Sequence, residues 1–81
     1  MKHATPIVLG ANGSASFTGS CFCRFACTVA GTLTVEDVNG TVILNALPVS
    51  AGDVKELYMY VQGRQGTITL AGGAAGTALV S

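Results

Sequence analysis

Charge is the scarcest feature of this sequence. Lys and Arg number four and Asp and Glu four, so charged residues make up 10% of the chain against about 25% in an ordinary soluble domain. The basic residues Lys2, Arg24, Lys55 and Arg64 are dispersed, so nothing could neutralise a run of phosphates and nucleic-acid binding by counterion release is not expected. Tryptophan is absent and histidine occurs once, at His3. No carboxylate or nucleophile lies near it in sequence, so neither a Ser-His-Asp set nor a Cys-His pair can be assembled on structured segments. The glycines punctuate turns rather than a strand-to-helix loop that could cradle phosphate. The chain therefore reads as no enzyme, with no catalytic residue, no metal and no cofactor. Its apolar runs fall short of the roughly 20 residues that span a bilayer, which gives no membrane partner. Pro6 to Leu9, after Met1-Lys2, is also shorter than the roughly 7 to 15 apolar residues of a signal peptide, so the chain reads as unprocessed and made in a cytoplasm.

What the sequence does have is apolar surface. Hydrophobic residues make up 49% of 81 residues. A single domain spanning 1–81, with 1–6 as a flexible lead-in carrying His3, buries only about 60 to 65% of its unfolded surface. With so little charge to cover the remainder, uncharged surface is expected to meet other protein, in a homo-oligomer or a larger assembly.

The stretch Cys21 to Leu47 reads as three consecutive β-strands joined by two tight turns. Cys21, Cys23, Phe25, Cys27 and Val29 alternate with Phe22, Arg24, Ala26 and Thr28 at the period of two that a strand requires. Ala30-Gly31 breaks the run, and Leu33 and Val35 resume it. Asn39-Gly40 is a strong hairpin signal for a type I′ turn, with Thr41 to Leu47 as the return strand. Around this centre, Ile7 to Leu9 and Ser16 to Thr18 form short strands separated by the loop residues Gly10 to Ser14. Pro48 ends a strand or sits at an edge. Val54 to Gln62 alternates Leu57, Met59 and Val61 with Glu56, Tyr58, Tyr60 and Gln62. Gly63 to Gly66 is a four-residue hairpin loop, Thr67 to Ala71 a strand with Ile68 and Leu70 inward, Gly72-Gly73 a turn, and Thr77 to Val80 the last strand. Turns every 8 to 12 residues or so, without helical periodicity, give an all-β fold. It is a small antiparallel sandwich or jelly-roll-like barrel of about six to eight short strands; the hairpin signals suggest sequential antiparallel neighbours, and a jelly roll, a meander barrel and a two-sheet sandwich all satisfy them.

Candidate chemistry resolves into structural roles. Cys21, Cys23 and Cys27 share one strand face in this reading. They lack the four-ligand spacing of a structural zinc site, and a Cys21–Cys23 disulfide would sit at the limit of allowed geometry; reduced, buried thiols are the favoured state, with metal and disulfide use as the alternatives. Glu36 and Asp37 point to opposite faces and flank a turn, and Asp53 and Glu56 lack the dense acidic spacing of a calcium loop. Arg24 is a candidate for an interchain ion pair or for plain solvent exposure. Asn12-Gly13-Ser14 and Asn39-Gly40-Thr41 match the glycosylation acceptor pattern, but tight turns need the same residues. Thr41 to Leu47 carries bulk on both faces, Val42 and Leu44 against Ile43 and Leu47, so it is either sandwiched inside one chain or buried between chains, the second being favoured in so small a domain. Tyr58 and Tyr60 share a face suited to a subunit contact or to stacking on a ligand.

The succession Val29-Ala-Gly-Thr-Leu-Thr-Val-Glu-Asp, the Gly-Thr turn, Leu57-Tyr-Met-Tyr-Val-Gln-Gly and Gly66-Thr-Ile-Thr-Leu resembles small β-rich virion proteins of tailed bacteriophages, over about residues 21 to 71. These are decoration or cement proteins, compact β-sandwiches or jelly rolls that often sit as trimers at capsomer junctions. The resemblance implies a homo-oligomer of trimeric form, a major capsid protein as partner, and a location on the capsid surface of a virion made in the host cytoplasm. It transfers no site residue; Ile43, Leu47, Tyr58 and Tyr60 are the contact residues expected from the strand pattern. The alternative is a carbohydrate- or peptide-binding β module that uses the Tyr58/Tyr60 face.

Overall fold

A computed structural model describes residues 5–81. The lead-in assigned to residues 1–6 and His3 fall largely outside the described residues, while Thr5 and Pro6 already belong to the first strand. Eight strands follow: β1 Thr5–Leu9, β2 Ser14–Thr18, β3 Cys21–Val29, β4 Gly31–Asp37, β5 Val42–Val49, β6 Val54–Tyr60, β7 Gln65–Ala71 and β8 Ala75–Val80, with a 3-10 turn at Gln62–Arg64. They form two antiparallel four-stranded sheets, ordered β1-β8-β3-β6 and β2-β7-β4-β5. The expected all-β sandwich is what the chain adopts.

The pairing follows a single rule. β4 pairs with β5, β3 with β6, β2 with β7 and β1 with β8, as in one long antiparallel ribbon that turns back at the β4–β5 hairpin. Rolling that ribbon brings β8 against β3 and β7 against β4, which is the strand order of a jelly roll. Only β4–β5 is therefore a hairpin between consecutive strands. Ala30-Gly31, the Gly63–Gly66 segment and Gly72-Gly73 carry the chain from one sheet to the other, so the expectation of sequential neighbours is corrected at all three. A turn residue marks a reversal without saying which sheet receives the next strand.

The hairpin itself differs from a type I′ turn. Gly40 takes φ 81 but Asn39 does not enter the positive-φ region. Gly40 N donates to Asp37 O at 3.1 Å and Asp37 N to Thr41 O at 2.9 Å, so a turn over Asp37–Gly40 is completed by a left-handed glycine. Asp37, although buried, has an acceptor oxygen satisfied by Asn39 N at 2.9 Å and Thr41 N at 3.0 Å, which is why a carboxylate is tolerated there.

Between the sheets lie Phe22, Phe25, Leu33, Val35, Val61, Ile68, Leu70 and Val80, all fully buried. Phe17 of the second sheet meets Phe22 of the first edge-on, ring centroids 6.0 Å apart at 67°. Phe22 and Phe25 both point inward although three positions separate them. β3 carries an extra residue at Cys23 relative to β8, Phe22 facing Val80 and Arg24 facing Leu79. Burying each ring gains about 1.5 to 3 kcal/mol, so the strand bulges rather than leave one outside. The expectation that all three cysteines share a face is corrected by the same bulge: Cys27 is in the core while Cys21 and Cys23 are half-buried on the outer side.

A second irregularity resolves the two-sided bulk of β5. Leu33 faces Leu47 and Val35 faces Leu44, one residue out of step, and Glu36 faces Val42 after another shift, with Ala46 at φ 49. Ile43, Leu44 and Leu47 consequently all pack against this chain's own core. Part of that bulk is thus taken up within the chain, while all three side chains keep some exposed surface.

Candidate functional site

The two outer faces of the sandwich differ in chemistry. On the second sheet the register sets Ser14 beside Thr69 and Thr34, and Ser16 beside Thr67, Glu36 and Val42. That face is mostly hydroxyl, with one carboxylate and, at its β5 edge, Val42 at 47% exposure, largely as a solvated sheet surface should be. On the first sheet, Leu9, Phe25, Ala78 and Val80 point inward, so their neighbours point out. One outward row runs Val8, Thr77, Ala26, Val54 across all four strands, and the next runs Pro6, Leu79, Arg24, Glu56. A third joins Cys21 to Tyr60 and, through reciprocal backbone hydrogen bonds of 2.9 Å, to Ser81. Val8 is 81% exposed, Val54 56%, Tyr58 63% and Tyr60 71%. Among the described residues the face carries one charged side chain of each sign, and they meet each other: Arg24 Nη2 lies 3.4 Å from Glu56 Oε1. The ion pair is within one chain, neither interchain nor an unpaired solvent charge. Its side chains are 42% and 57% exposed, so it adds little stability; its effect is that the charged side chains among the described residues of this face cancel each other.

The expected contact residues divide between the sheets. Tyr58 and Tyr60 stand exposed on edge strand β6, where the bulge opposite Cys23 puts Tyr58 at φ 48. Ile43 and Leu47 lie on β5 of the other sheet, half-buried, and do not join the tyrosines in one patch. The strand pattern at Val54, Glu56, Tyr58 and Tyr60 announced half of the face. Val8 could not be placed there, because nothing local says that β1 pairs with β8.

The other candidate groups are occupied. Cys27 Sγ donates to Val29 O at 3.0 Å in the core, whereas Cys23 Sγ lies 3.5 Å from Cys21 Sγ on the outer face. Asp53 Oδ2 accepts from Ser50 N at 3.0 Å and faces Lys55 Nζ at 3.6 Å. Asn12 Oδ1 accepts from Gly73 N at 2.8 Å, tying two loops together. Among the described residues no three of His, Cys, Asp and Glu gather as metal ligands would. A shallow depression of about 360 Å³ opens at the ends of β2 and β7, beside Ser16, Thr18, Asp37 and Thr67, and the tyrosines are not part of it.

The chain matches no protein-family model, no curated protein and no solved structure.

One property of the face can be checked directly. Burial first, then the hydrogen bond the Cys21 thiol makes to Cys23 and repulsion between the two thiolates, push the Cys21 thiol above its ordinary 9.0. The folded protein then holds this proton after the unfolded chain has released it, so the contribution is complete below about pH 9 and is lost as pH rises through the folded value. Cys21→Ser is expected to flatten the alkaline fall in stability, read as the urea midpoint from pH 8 to 11. An unchanged slope would show that the thiol pair carries none of it.

Proposed function

We propose that this chain is a non-enzymatic structural subunit that adheres through the outer face of its first sheet to a larger protein shell, in the manner of a capsid decoration or cement protein. The partner in this reading is a major capsid protein, the place is the capsid surface of a virion, and copies act together. The observation that supports it most is the difference between the two outer faces: one is mostly hydroxyl, with Glu36 and a single exposed valine, Val42, at its edge, and the other exposes Val8, Val54, Tyr58 and Tyr60 around an internally neutralised ion pair.

An exposed apolar face with no net charge gains from contact with almost any complementary protein surface, at about 25 cal/mol for each Å² removed from water before ordering costs. A contact of standard size takes roughly 800 Å² from each partner, and repetition over a symmetric shell multiplies a modest affinity into durable attachment. A small-molecule site would be concave, whereas Tyr58 and Tyr60 stand exposed on an edge strand away from the depression beside β2 and β7, an arrangement suited to a protein contact.

Changing Tyr58 and Tyr60 together to alanine tests this. Both rings are mostly exposed, so the circular dichroism spectrum is expected to stay that of the wild type. Co-sedimentation with capsid shells is expected to weaken about tenfold or more, since truncating a tyrosine anchor commonly costs more than about 1 kcal/mol. Undiminished co-sedimentation would remove this face from the function. A saturable glycan response that depends on the same two residues would replace the shell with a carbohydrate.

A further inference from the structure

Each sheet has two edges, and three of the four resist further pairing. β1 carries Pro6, which has no N–H to offer; β5 carries Pro48 and the positive-φ Ala46; β6 carries Lys55 and Glu56 and is bulged at Tyr58. Proline, charge and bulges are the devices that keep an edge from recruiting another strand. β2 has none of them. Its residues Ser14-Ala15-Ser16-Phe17-Thr18 are uncharged and pair with β7 in unbroken register, from Ser14 with Thr69 to Thr18 with Gln65.

The ladder fixes where the free hydrogen-bonding groups of β2 point. Leu70 N donates to Gly13 O at 2.8 Å and Gly19 N donates to Arg64 O at 2.8 Å, both in the β2–β7 register. Bonded and non-bonded pairs alternate along an antiparallel ladder, and a residue's N–H and C=O point the same way. Gly13, Ala15, Phe17 and Gly19 therefore face β7, whereas Ser14, Ser16 and Thr18 send their N–H and C=O groups outward from the sheet. All three are exposed. The edge thus presents three donors and three acceptors in a straight row.

The geometry points to a second copy of this chain as the partner that covers them, β2 against β2 in antiparallel register about a twofold axis at Ser16. In that register Ser16 faces its own counterpart and Ser14 faces Thr18 at both ends. Every pair joins residues whose groups point outward, so six interchain hydrogen bonds form. Sliding by one residue pairs outward groups with groups already bonded to β7, and sliding by two loses one of the three pairs. The outer side chains bring hydroxyl opposite hydroxyl, a favourable cross-strand pairing, and no charge repels its copy. An unrelated strand could settle at any even register; for the self-pair the twofold register is the one that uses all three positions, and being isologous it stops at two copies. The two second sheets then run as one sheet of eight strands, and the outer face of each first sheet stays free, so the pair would present two adhesive faces. The inference stands on the β2 edge alone and does not depend on what that adhesive face binds.

Ser16→Pro tests it selectively. The Ser16 N–H takes no part in the β7 ladder, so the monomer fold is expected to survive, while the central pair loses its donors on both copies. Ser16→Lys sets like charges face to face on the axis and serves should the proline variant fail to fold. Sedimentation velocity of the full chain across a concentration series is expected to give a dimer for the wild type and a monomer for both variants, with the dimer dissociation constant raised tenfold or more. Amide exchange at Ser14, Ser16 and Thr18 is expected to slow as wild-type concentration rises. Tyr58→Ala with Tyr60→Ala is expected to leave the dimer intact, which separates this edge from the shell-binding face. A wild type that stays monomeric throughout, a dimer whose Ser14, Ser16 and Thr18 amides exchange freely, or a dimer untouched by Ser16→Lys would overturn the proposal.

Discussion

Shortening Phe22 to alanine is expected to cost about 3 to 5 kcal/mol of folding free energy. The ring is fully buried and meets Phe17 edge-on across the gap between the sheets, so its loss opens a cavity at the point where the two layers hold each other. It also removes part of the reason for the bulge at Cys23, since the strand departs from strict alternation to bring both Phe22 and Phe25 inside. Domains have a total stability of about 5 to 15 kcal/mol, and a chain of 81 residues belongs near the lower end. The variant is therefore expected to be largely unfolded near 37 °C, and a urea titration at lower temperature followed by circular dichroism would measure the loss. A cost below about 1 kcal/mol would mean that the inter-sheet core is packed differently from the arrangement described.

Adding a single methyl group at Gly76 is expected to be at least as damaging. Gly76 sits in β8, an interior strand of the first sheet, facing Cys27. A Cβ there would run into the carbonyl oxygen of Ala26 and come within 2.7 Å of the Phe25 ring. The first obstacle is backbone of the neighbouring strand, which cannot retreat without breaking the ladder. Overpacking a core usually costs about 1 to 3 kcal/mol, and Gly76→Ala belongs at or above the top of that range. Gly10→Ala is the control: nothing lies within 4 Å of the added carbon, and its melting temperature should match that of the wild type. If both variants melted alike, the close approach of β3 and β8 at Gly76 would be wrong.

These two sites mark the boundary of what could be read from the sequence. The strands were legible because alternation is a local property: Leu33 and Val35, Ile68 and Leu70, and Leu57 and Met59 each repeat at the pleat's own period. Partnership was not, because it is settled between segments far apart. Asn39-Gly40 marks a true hairpin, while Gly63 to Gly66 and Gly72-Gly73 show equally strong turn chemistry and yet change sheets. The bulges escaped for a related reason. The insertions at Cys23 and on β5 exist to satisfy burial against the opposite sheet, so a face assignment that extrapolates alternation through them fails at Cys21, Cys23, Ile43 and Leu47. The adhesive face was visible where it lies within one strand, at Val54, Tyr58 and Tyr60, and invisible where it crosses to Val8.

The rolled-ribbon pairing also dictates an order of events. β4 and β5 are separated by one short turn and can zip together as soon as both exist, at a small loop-closure cost, whereas each pair further out must close a longer loop. β8 lies between β1 and β3, so the first sheet has a gap through its middle until the last strand arrives, and β1 has no partner for as long as it waits. Acquisition of native structure is therefore expected to be slow for so small a domain and to spread outward from the hairpin, with the sheet that bears the tyrosines completed last.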